Sequence, residues 1–270
     1  MNTTEKPTRH LLGISGGKDS AALAIYMRDR VPEMEYFFAD TGAELPETLE
    51  FVDQMEAYLG KPITRINGGR DFEHYLKLNG NNLPTAHFRW CTASLKLKPF
   101  EEYVGNEPVI SYVAIRADEQ HRTGYISTKP NITARYPFKE DGLDIEDVKK
   151  ILDDSGLGMP KYYEWRSRSG CYFCFYQRRI EWVGLAEHHP EYFEKAKKFE
   201  TDHKDLGHKF TWVEGESLDE ILARKDKIKA DHQLWLLKQE EKKNRPKTLL
   251  QSLTTDDDND EDEGCLICFK

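Results

Sequence analysis

Residues 10–20 read HLLGISGGKDS, and this stretch decides the fold. The apolar run His10 to Ile14 ends in a serine–glycine–glycine turn, and the apolar-periodic segment Ala21 to Met27 follows it. This pattern predicts a strand, a glycine turn and a helix in succession. The start of such a helix offers free backbone N–H groups and a partial positive charge, so we expect an anion to bind there.

The turn carries the residue types that a pyrophosphate group needs. Gly16 and Gly17 let the backbone approach phosphate oxygens without an intervening Cβ, and Lys18 adds a full positive charge. Ser15 and Ser20 add hydroxyl donors. A Walker P-loop would need glycine at position 12, where this chain has leucine, and no G-x-G-x-x-G dinucleotide motif occurs here. The alternative interpretation is a plain glycine turn with a capped helix.

The same alternation of strands and helices continues along the chain. Apolar runs predict strands at Tyr36 to Ala39, Ile63 to Ile66 and Val109 to Ile115, and helical periodicity predicts helices at Pro46 to Leu59 and Leu95 to Val104. Strands that alternate with helices predict an α/β fold, with a parallel sheet that helices cover on both faces.

Changes in composition divide the chain into three predicted parts. Residues 1–179 hold the alternating pattern, and residues 180–250 are polar with helical periodicity, which predicts a helical C-terminal extension. Residues 251–270 form a predicted flexible tail, in which Asp256 to Glu263 reads DDDNDEDE. These acids account for most of the formal net charge of −9, so the charge does not exclude a basic face for nucleic acid elsewhere.

The six residues from Ser15 to Ser20 resemble the SGGxDS loop of the PP-loop ATP pyrophosphatases. That family cleaves ATP to AMP and pyrophosphate while it adenylates a substrate oxygen. The resemblance implies that all six residues bind ATP with Mg²⁺, and that Lys18 and Asp19 act in catalysis. It also implies a five-stranded sheet of the adenine nucleotide alpha hydrolase-like (HUP) type.

Four further segments resemble the phosphoadenylylsulfate (PAPS) reductases, and with the loop they cover roughly residues 10–180. They are Asp40-Thr41-Gly42 with Pro46-Glu47-Thr48, Arg89-Trp90-Cys91-Thr92 through Lys96 and Pro99, Arg116 with Asp118, Glu119 and Arg122, and Arg168-Ser169-Gly170-Cys171 with Cys174. The resemblance implies that the nucleotide contacts Asp40, Thr41, Gly42 and Arg116.

The cations of these segments are candidates for binding an acidic substrate, because Arg can hold two oxygens at once. The candidates are Arg89, Lys96, Arg122 and Arg168. For each of them an ordinary surface ion pair is the alternative, and for Asp40 the alternative is a simple turn residue.

Cys171 and Cys174 form a C-x-x-C pair, a spacing that lets two thiolates reach one metal. With Cys91 they form the predicted ligand set of a [4Fe–4S] cluster, as in some PP-loop thiolation enzymes, and the pair is also predicted to be catalytic. The alternatives are zinc with His87 as a further ligand, a redox pair, or buried thiols without a metal.

The tail ends in a second C-x-x-C pair, Cys265 and Cys268. PAPS reductases end in a mobile E-C-G-L-H tail, whereas this chain reads Glu263-Gly264-Cys265-Leu266 and has no histidine there. We expect these cysteines to relay a persulfide or to supply a fourth cluster ligand; incidental thiols are the alternative.

The sequence combines a phosphate loop, a cluster-type cysteine set and nearby cations. This combination indicates an enzyme that uses ATP to replace an oxygen by sulfur. The combination resembles the ATP-pyrophosphatase subunits of DNA phosphorothioation systems, which implies DNA as the substrate and a cysteine desulfurase as the sulfur donor. The alternatives are a PAPS or adenylylsulfate reductase, a tRNA thiolase, and a non-catalytic nucleotide-binding protein.

Nothing in the sequence predicts a membrane segment. No run approaches the roughly 18 apolar residues that a span needs, and the first ten residues lack the apolar core of a signal peptide. We therefore expect a cytoplasmic protein without a membrane partner. Association into a homo-oligomer stays an open expectation.

Overall fold

The computed structural model describes residues 7–120, 122, 129–203 and 208–244. The chain divides into two compact units, the first ending at Cys174 and the second beginning at Phe175. The predicted boundary, after residue 179, lies close to this point. None of the helices described is both long enough and apolar enough to cross a bilayer.

The first unit contains a parallel sheet with five strands. The strands are β1 (Arg9–Gly13), β2 (Glu35–Ala39), β3 (Ile63–Ile66), β4 (Val109–Tyr112) and β5 (Ile132–Arg135). Their order across the sheet is β3-β2-β1-β4-β5, and every neighbouring pair is parallel. The predicted α/β fold with a five-stranded parallel sheet is confirmed.

Among the described residues of this unit, five α-helices lie between strands of the sheet and two follow β5. They are α1 (Lys18–Met27), α2 (Pro46–Leu59), α3 (Phe72–Leu78), α4 (Trp90–Thr92), α5 (Lys98–Val104), α6 (Pro137–Asp141) and α7 (Ile145–Ser155). A π-helical turn, Ala93–Leu97, joins α4 to α5, and a 3₁₀ turn follows at Lys161–Glu164.

The sheet has an apolar core on each face because successive strand residues point to opposite sides. In β1, Leu12 packs into a core with residues of α1, α2 and α7. Its neighbour Leu11 packs on the opposite face with Phe37 and with residues of α5, including Phe100. All four side chains are essentially inaccessible to solvent, so the sheet is a rigid platform for the loops at its edges.

Two predicted elements have different bounds in the structure. The strand predicted to extend to Ile115 ends at Tyr112, because the Ile115 N–H donates to the Val113 carbonyl in a tight turn. The helix predicted to begin at Leu95 begins earlier, with α4 at Trp90.

The second unit is mainly helical, as predicted for the C-terminal extension, and it also contains a short antiparallel hairpin. Its elements are α8 (Arg179–His188), α9 (Pro190–Lys197), β6 (Thr201–His203), β7 (His208–Phe210), α10 (Leu218–Ala223) and α11 (Lys225–Asn244). Trp182 is fully buried in its core, and the Trp212 indole donates to the Ala196 carbonyl over 2.9 Å.

Candidate active site

The predicted phosphate loop follows β1 directly, and α1 begins within it at Lys18. Gly17 is the N-cap residue, and no side chain caps the helix. Gly16 has a φ of +74°, and a Cβ there would lie 2.5 Å from Thr48 Cγ2. Both the backbone conformation and the space therefore require glycine at position 16.

Hydrogen bonds of the Ser15 and Ser20 hydroxyl groups stabilise the conformation of the loop. Ser20 Oγ accepts from the Ser15 N–H over 3.0 Å, lies 2.9 Å from Ser15 Oγ and donates to the Gly17 carbonyl over 3.1 Å. Ser15 Oγ in turn accepts from the Gly17 N–H over 3.3 Å. The two serines thus connect both ends of the loop.

The charged residues of the site meet at the first turn of α1. Lys18 Nζ lies 3.1 Å from Asp19 Oδ2. From the loop after β4, Arg116 donates to Asp19 over 2.9 Å and to Asp118 over 3.0 Å, and its side chain is 3% exposed. The structure thus brings together the predicted residues Lys18, Asp19 and Arg116 at the N-terminus of α1, where the carboxylates of Asp19 and Asp118 balance the two cations.

A segment from the end of the first unit packs on the same loop. The Tyr162 hydroxyl donates to the Gly16 carbonyl over 2.6 Å, and the Tyr163 hydroxyl accepts from the Lys18 N–H over 3.3 Å. A Cβ on Gly17 would lie 2.7 Å from Ser169 Oγ. The predicted cysteine segment, to which Ser169 belongs, is therefore in contact with the phosphate loop.

The Asp40-Thr41-Gly42 segment lies at the carboxyl end of β2. Asp40 accepts from the Gly42 N–H over 3.0 Å, so its carboxylate forms the turn that the alternative interpretation expected. The same segment borders an open, polar cleft. That cleft is lined by Asp40, Thr41, Gly42, Asn67, Gly69, Arg70, Asp71 and His74.

Thr41 links a buried acid to a cysteine. Its hydroxyl donates to Glu44 Oε1 over 2.6 Å and lies 3.3 Å from Cys171 Sγ. Burial raises the pKa of the Glu44 carboxyl, and the charge of Lys96 opposes that shift. Burial and the nearby Glu44 carboxylate raise the pKa of the Cys171 thiol to about 12. Cys171 is therefore a protonated thiol at neutral pH.

Hydrogen bonds to the backbone around Cys171 fix the position of this cysteine. Glu44 and Cys171 form an antiparallel bridge, and the Tyr172 N–H donates to the Ala43 carbonyl over 2.8 Å. Arg166, only 2% exposed, donates to the Cys171 carbonyl over 2.7 Å. Arg166 rather than Arg168, which is partly exposed, is thus the buried cation of the segment.

The predicted metal site does not assemble from the residues described. Within them, no three Cys, His, Asp or Glu side chains form a group that could hold a metal ion, and this includes Cys91, Cys171 and Cys174. None of the three forms a disulfide with another described residue. The tail cysteines, Cys265 and Cys268, lie outside the described residues. The described residues therefore do not fit a cluster or zinc, and both stay predictions from the sequence.

The four predicted substrate-binding cations have different surroundings. Lys96 shares a cleft with Ser15 of the phosphate loop and with Glu44. Arg122 forms a buried ion pair with Glu119. Arg89 donates to the Ala86 carbonyl over 2.8 Å. Among these cations, the structure brings Lys96 to the phosphate loop.

Some contacts of the site have no signal in the sequence. Glu44, Tyr162 and Tyr163 became candidates only through their contacts in the fold, whereas Arg166 could be noted beforehand as one of the arginines close to Cys171. Tyr162 lies 146 positions from its partner Gly16, so no local pattern could relate them. Glu44 follows the Asp40-Thr41-Gly42-Ala43 segment, beyond the end of β2.

Comparison with known proteins shows which protein family the first half of the chain is similar to. Residues 9–134 match the family model described as "Phosphoadenosine phosphosulfate reductase domain". The uncharacterized protein MJ0973 of Methanocaldococcus jannaschii is 27% identical over 232 residues, which are 79% of this chain and 55% of that protein. The chain spans about half the length of the M. jannaschii relatives it matches.

Two further comparisons involve reductases. The adenosine 5′-phosphosulfate reductase of Salinibacter ruber is 24% identical over 110 residues, which are 41% of this chain and 43% of that protein. The crystal structure of phosphoadenylyl-sulfate (PAPS) reductase from Candida auris, in a phosphate complex, superposes with a TM-score of 0.47 at 14% identity, covering 63% of this chain and 84% of that one.

Proposed function

We propose that this chain is an ATP pyrophosphatase that adenylates an oxygen atom of its substrate, so that a sulfur nucleophile can replace that oxygen. The observation that carries the proposal is the buried Arg116, held against Asp19 beside Lys18 at the start of α1. The N-terminus of α1 carries a partial positive charge that attracts a triphosphate, and Lys18 lies beside it, while Asp19 and Asp118 hold Arg116 in place.

The reaction has two displacements. The substrate oxygen attacks the α-phosphorus of ATP, the bond to the bridging oxygen breaks, and pyrophosphate leaves. Negative charge develops on the leaving pyrophosphate, and we expect Lys18, Arg116 and the partial positive charge at the N-terminus of α1 to stabilise it. A persulfide then attacks the activated centre, and AMP leaves with the substrate oxygen. A thiol, such as the cysteine supplied to the desulfurase, cleaves the resulting S–S bond and is oxidised to a disulfide, which leaves the sulfur on the substrate.

The position of Cys171 supports the sulfur step. Cys171 lies beside Thr41 and Glu44, and Glu44 lines the same cleft as Ser15 of the phosphate loop. A thiol and a phosphate loop are therefore neighbours in the first unit. Lys96, in the same cleft, offers a positive charge to an acidic substrate.

The proposal also names a substrate and a sulfur donor. The loop and the cysteine segment resemble the ATP-pyrophosphatase subunits of DNA phosphorothioation systems. This resemblance supports the DNA backbone as the substrate whose oxygen is adenylated and replaced. It also supports a cysteine desulfurase as the source of a persulfide.

The experiment offers one acceptor at a time. The protein is incubated with Mg-ATP, cysteine and a cysteine desulfurase, and with DNA, tRNA or PAPS, and pyrophosphate, sulfite and sulfur incorporation are measured. We expect pyrophosphate release and sulfur incorporation with DNA, and loss of both in Lys18→Ala. Absence of pyrophosphate with every acceptor would contradict the proposal.

A sulfonucleotide reductase is the second candidate. The match of residues 9–134 to the PAPS reductase domain favours it. In that reaction the sulfonucleotide is reduced to sulfite by electrons from a dithiol. Sulfite formed from PAPS without ATP would establish the reductase and displace the first proposal.

A further inference from the structure

Two tyrosines hold the phosphate loop from outside. The 3₁₀ turn Lys161–Glu164 points both hydroxyls at the loop, so that Tyr162 contacts the Gly16 carbonyl and Tyr163 contacts the Lys18 N–H. Tyr162 is fully buried.

The direction of each of the two hydrogen bonds follows from the loop group that takes part in it. The Lys18 N–H can only donate, so the Tyr163 oxygen accepts from it. The Gly16 carbonyl can only accept, so the Tyr162 hydroxyl donates to it. The two hydroxyls thus bind backbone groups on both sides of Gly17, and we call this pair of hydrogen bonds the tyrosine bridge.

The bridge decides which way the peptide between Gly16 and Gly17 faces. No described peptide bond is cis, and in a trans peptide the C=O and the following N–H point in opposite directions. With the carbonyl held by Tyr162, the Gly17 N–H points the other way, toward Ser15 Oγ at 3.3 Å. Ser15 lines the cleft that Lys96 shares. The Gly17 N–H, and not the Gly16 carbonyl, thus faces Ser15, on the side of the loop where the proposed function expects the triphosphate.

This orientation needs an anchor because the peptide is flanked by glycines. Glycine adopts both signs of φ with little cost, so a Gly-Gly peptide can turn over more easily than any other. A turned peptide would present the Gly16 carbonyl, a partial negative charge, to phosphate oxygens. The buried Tyr162 hydroxyl is the group that opposes this turn.

We infer that Tyr162 is a positioning residue for the nucleoside triphosphate, which acts through the tyrosine bridge to keep the Gly16–Gly17 peptide in its anion-binding orientation. The inference rests on the proposed function for its ligand. It adds the prediction that residues of the 3₁₀ turn, although remote in sequence, control the affinity of the loop for phosphate groups and not for the nucleoside.

The test compares variants that lose one hydroxyl and keep the ring. Binding of Mg²⁺ with α,β-methylene-ATP, which cannot be cleaved at the proposed bond, is measured by calorimetry for the wild type, Tyr162→Phe and Tyr26→Phe. Tyr26 is the matched control, since its hydroxyl donates to Asp141 over 2.7 Å at the exposed side of α1. We expect the Kd to rise about tenfold in Tyr162→Phe, the size of one lost hydrogen bond, and to stay unchanged in Tyr26→Phe.

Adenosine binding distinguishes positioning from general loosening of the fold. The Kd of adenosine should be the same in Tyr162→Phe as in the wild type, because the bridge acts on the phosphate loop alone. Equal weakening of adenosine and of α,β-methylene-ATP would overturn the inference. So would an unchanged Kd for α,β-methylene-ATP.

A measurement without nucleotide keeps the inference separate from the proposed function. Amide exchange of Lys18 in the free protein should be faster in Tyr163→Phe, and the amide ¹⁵N shift of Gly17 should change in Tyr162→Phe. Wild-type values in both variants would overturn the bridge. If the wild type binds no ATP while both amides respond, the bridge stands and the proposed function fails.

Discussion

Arg116 and Asp19 lie 97 positions apart in the sequence, yet Arg116 Nη1 donates to Asp19 Oδ1 over 2.9 Å. The contact joins the loop after β4 to the first turn of α1. Arg116 reaches Asp118 with its Nε at the same time. One buried guanidinium therefore connects the two neighbouring strands at the centre of the sheet, β1 and β4, at their carboxyl ends.

Arg116→Lys should weaken both the fold and ATP binding. Lysine keeps the charge but cannot hold two carboxylates in a planar fork, so we expect a loss of about 2 kcal/mol in the free energy of unfolding and a roughly tenfold higher Kd for ATP. Urea unfolding and calorimetry measure the two effects. Arg135→Lys is the control, because its pair with Glu140 is exposed and such pairs contribute at most about 1 kcal/mol. Equal effects in both variants would contradict the assigned role.

Gly16→Ala should abolish ATP binding. The left-handed backbone conformation at this position disfavours a residue with a Cβ. The added Cβ would also lie only 2.5 Å from Thr48 Cγ2. Gly142→Ala is the matched control, since Gly142 has a φ of +75° and no atom within 4 Å of the added Cβ. We expect the control to lose about 1 kcal/mol in the free energy of unfolding and to bind ATP normally. Wild-type ATP affinity in Gly16→Ala would show that the loop is not the binding site.

Cys171 should react slowly with alkylating reagents. With a pKa of about 12 it is almost wholly protonated at pH 8, and it should carry roughly 1,000-fold less thiolate than an ordinary cysteine. Its reaction with iodoacetamide, followed by peptide mass spectrometry, should accelerate as the pH rises toward 12. Glu44→Gln removes the negative charge that raises this pKa, so alkylation at pH 8 should become faster. Alkylation of wild-type Cys171 at the rate of glutathione would contradict this picture.

Iron binding, if the predicted cluster forms, should depend on the tail. The described residues supply no group of three metal ligands, so a cysteine from outside them would have to complete the site. We expect anaerobically purified full-length protein to contain iron and acid-labile sulfide, and protein without residues 251–270 to contain neither. Iron retained after this deletion would show that Cys91, Cys171 and Cys174 bind it alone. Iron-free full-length protein would remove the cluster prediction.

The phosphate loop could be predicted from sequence because its signal is local. Six consecutive residues, Ser15 to Ser20, lie between an apolar strand and a periodic helix, and the structure places them at the N-terminus of α1 as expected. The parallel sheet was predictable for the same reason, since the alternation of strands and helices repeats along the chain. The contribution of Arg116 required the resemblance, because nothing near that residue indicates that its partner is Asp19.

The remaining contacts of the site depend on the fold. Tyr162 looks like an ordinary aromatic residue after a glycine-rich turn, and only the packing of residues 160–170 brings its hydroxyl to Gly16. Arg166 and Arg168 are equivalent in the sequence, but burial separates them, since Arg166 is enclosed against the Cys171 carbonyl. Local patterns cannot predict which of two nearby arginines turns inward.

Both edge strands of the parallel sheet are short. β3 and β5 contain four residues each, and each carries an exposed arginine, Arg65 and Arg135. A brief outer strand with a charged side chain offers another chain little backbone to pair with. The sheet should therefore resist polymerisation through strand addition even at high concentration.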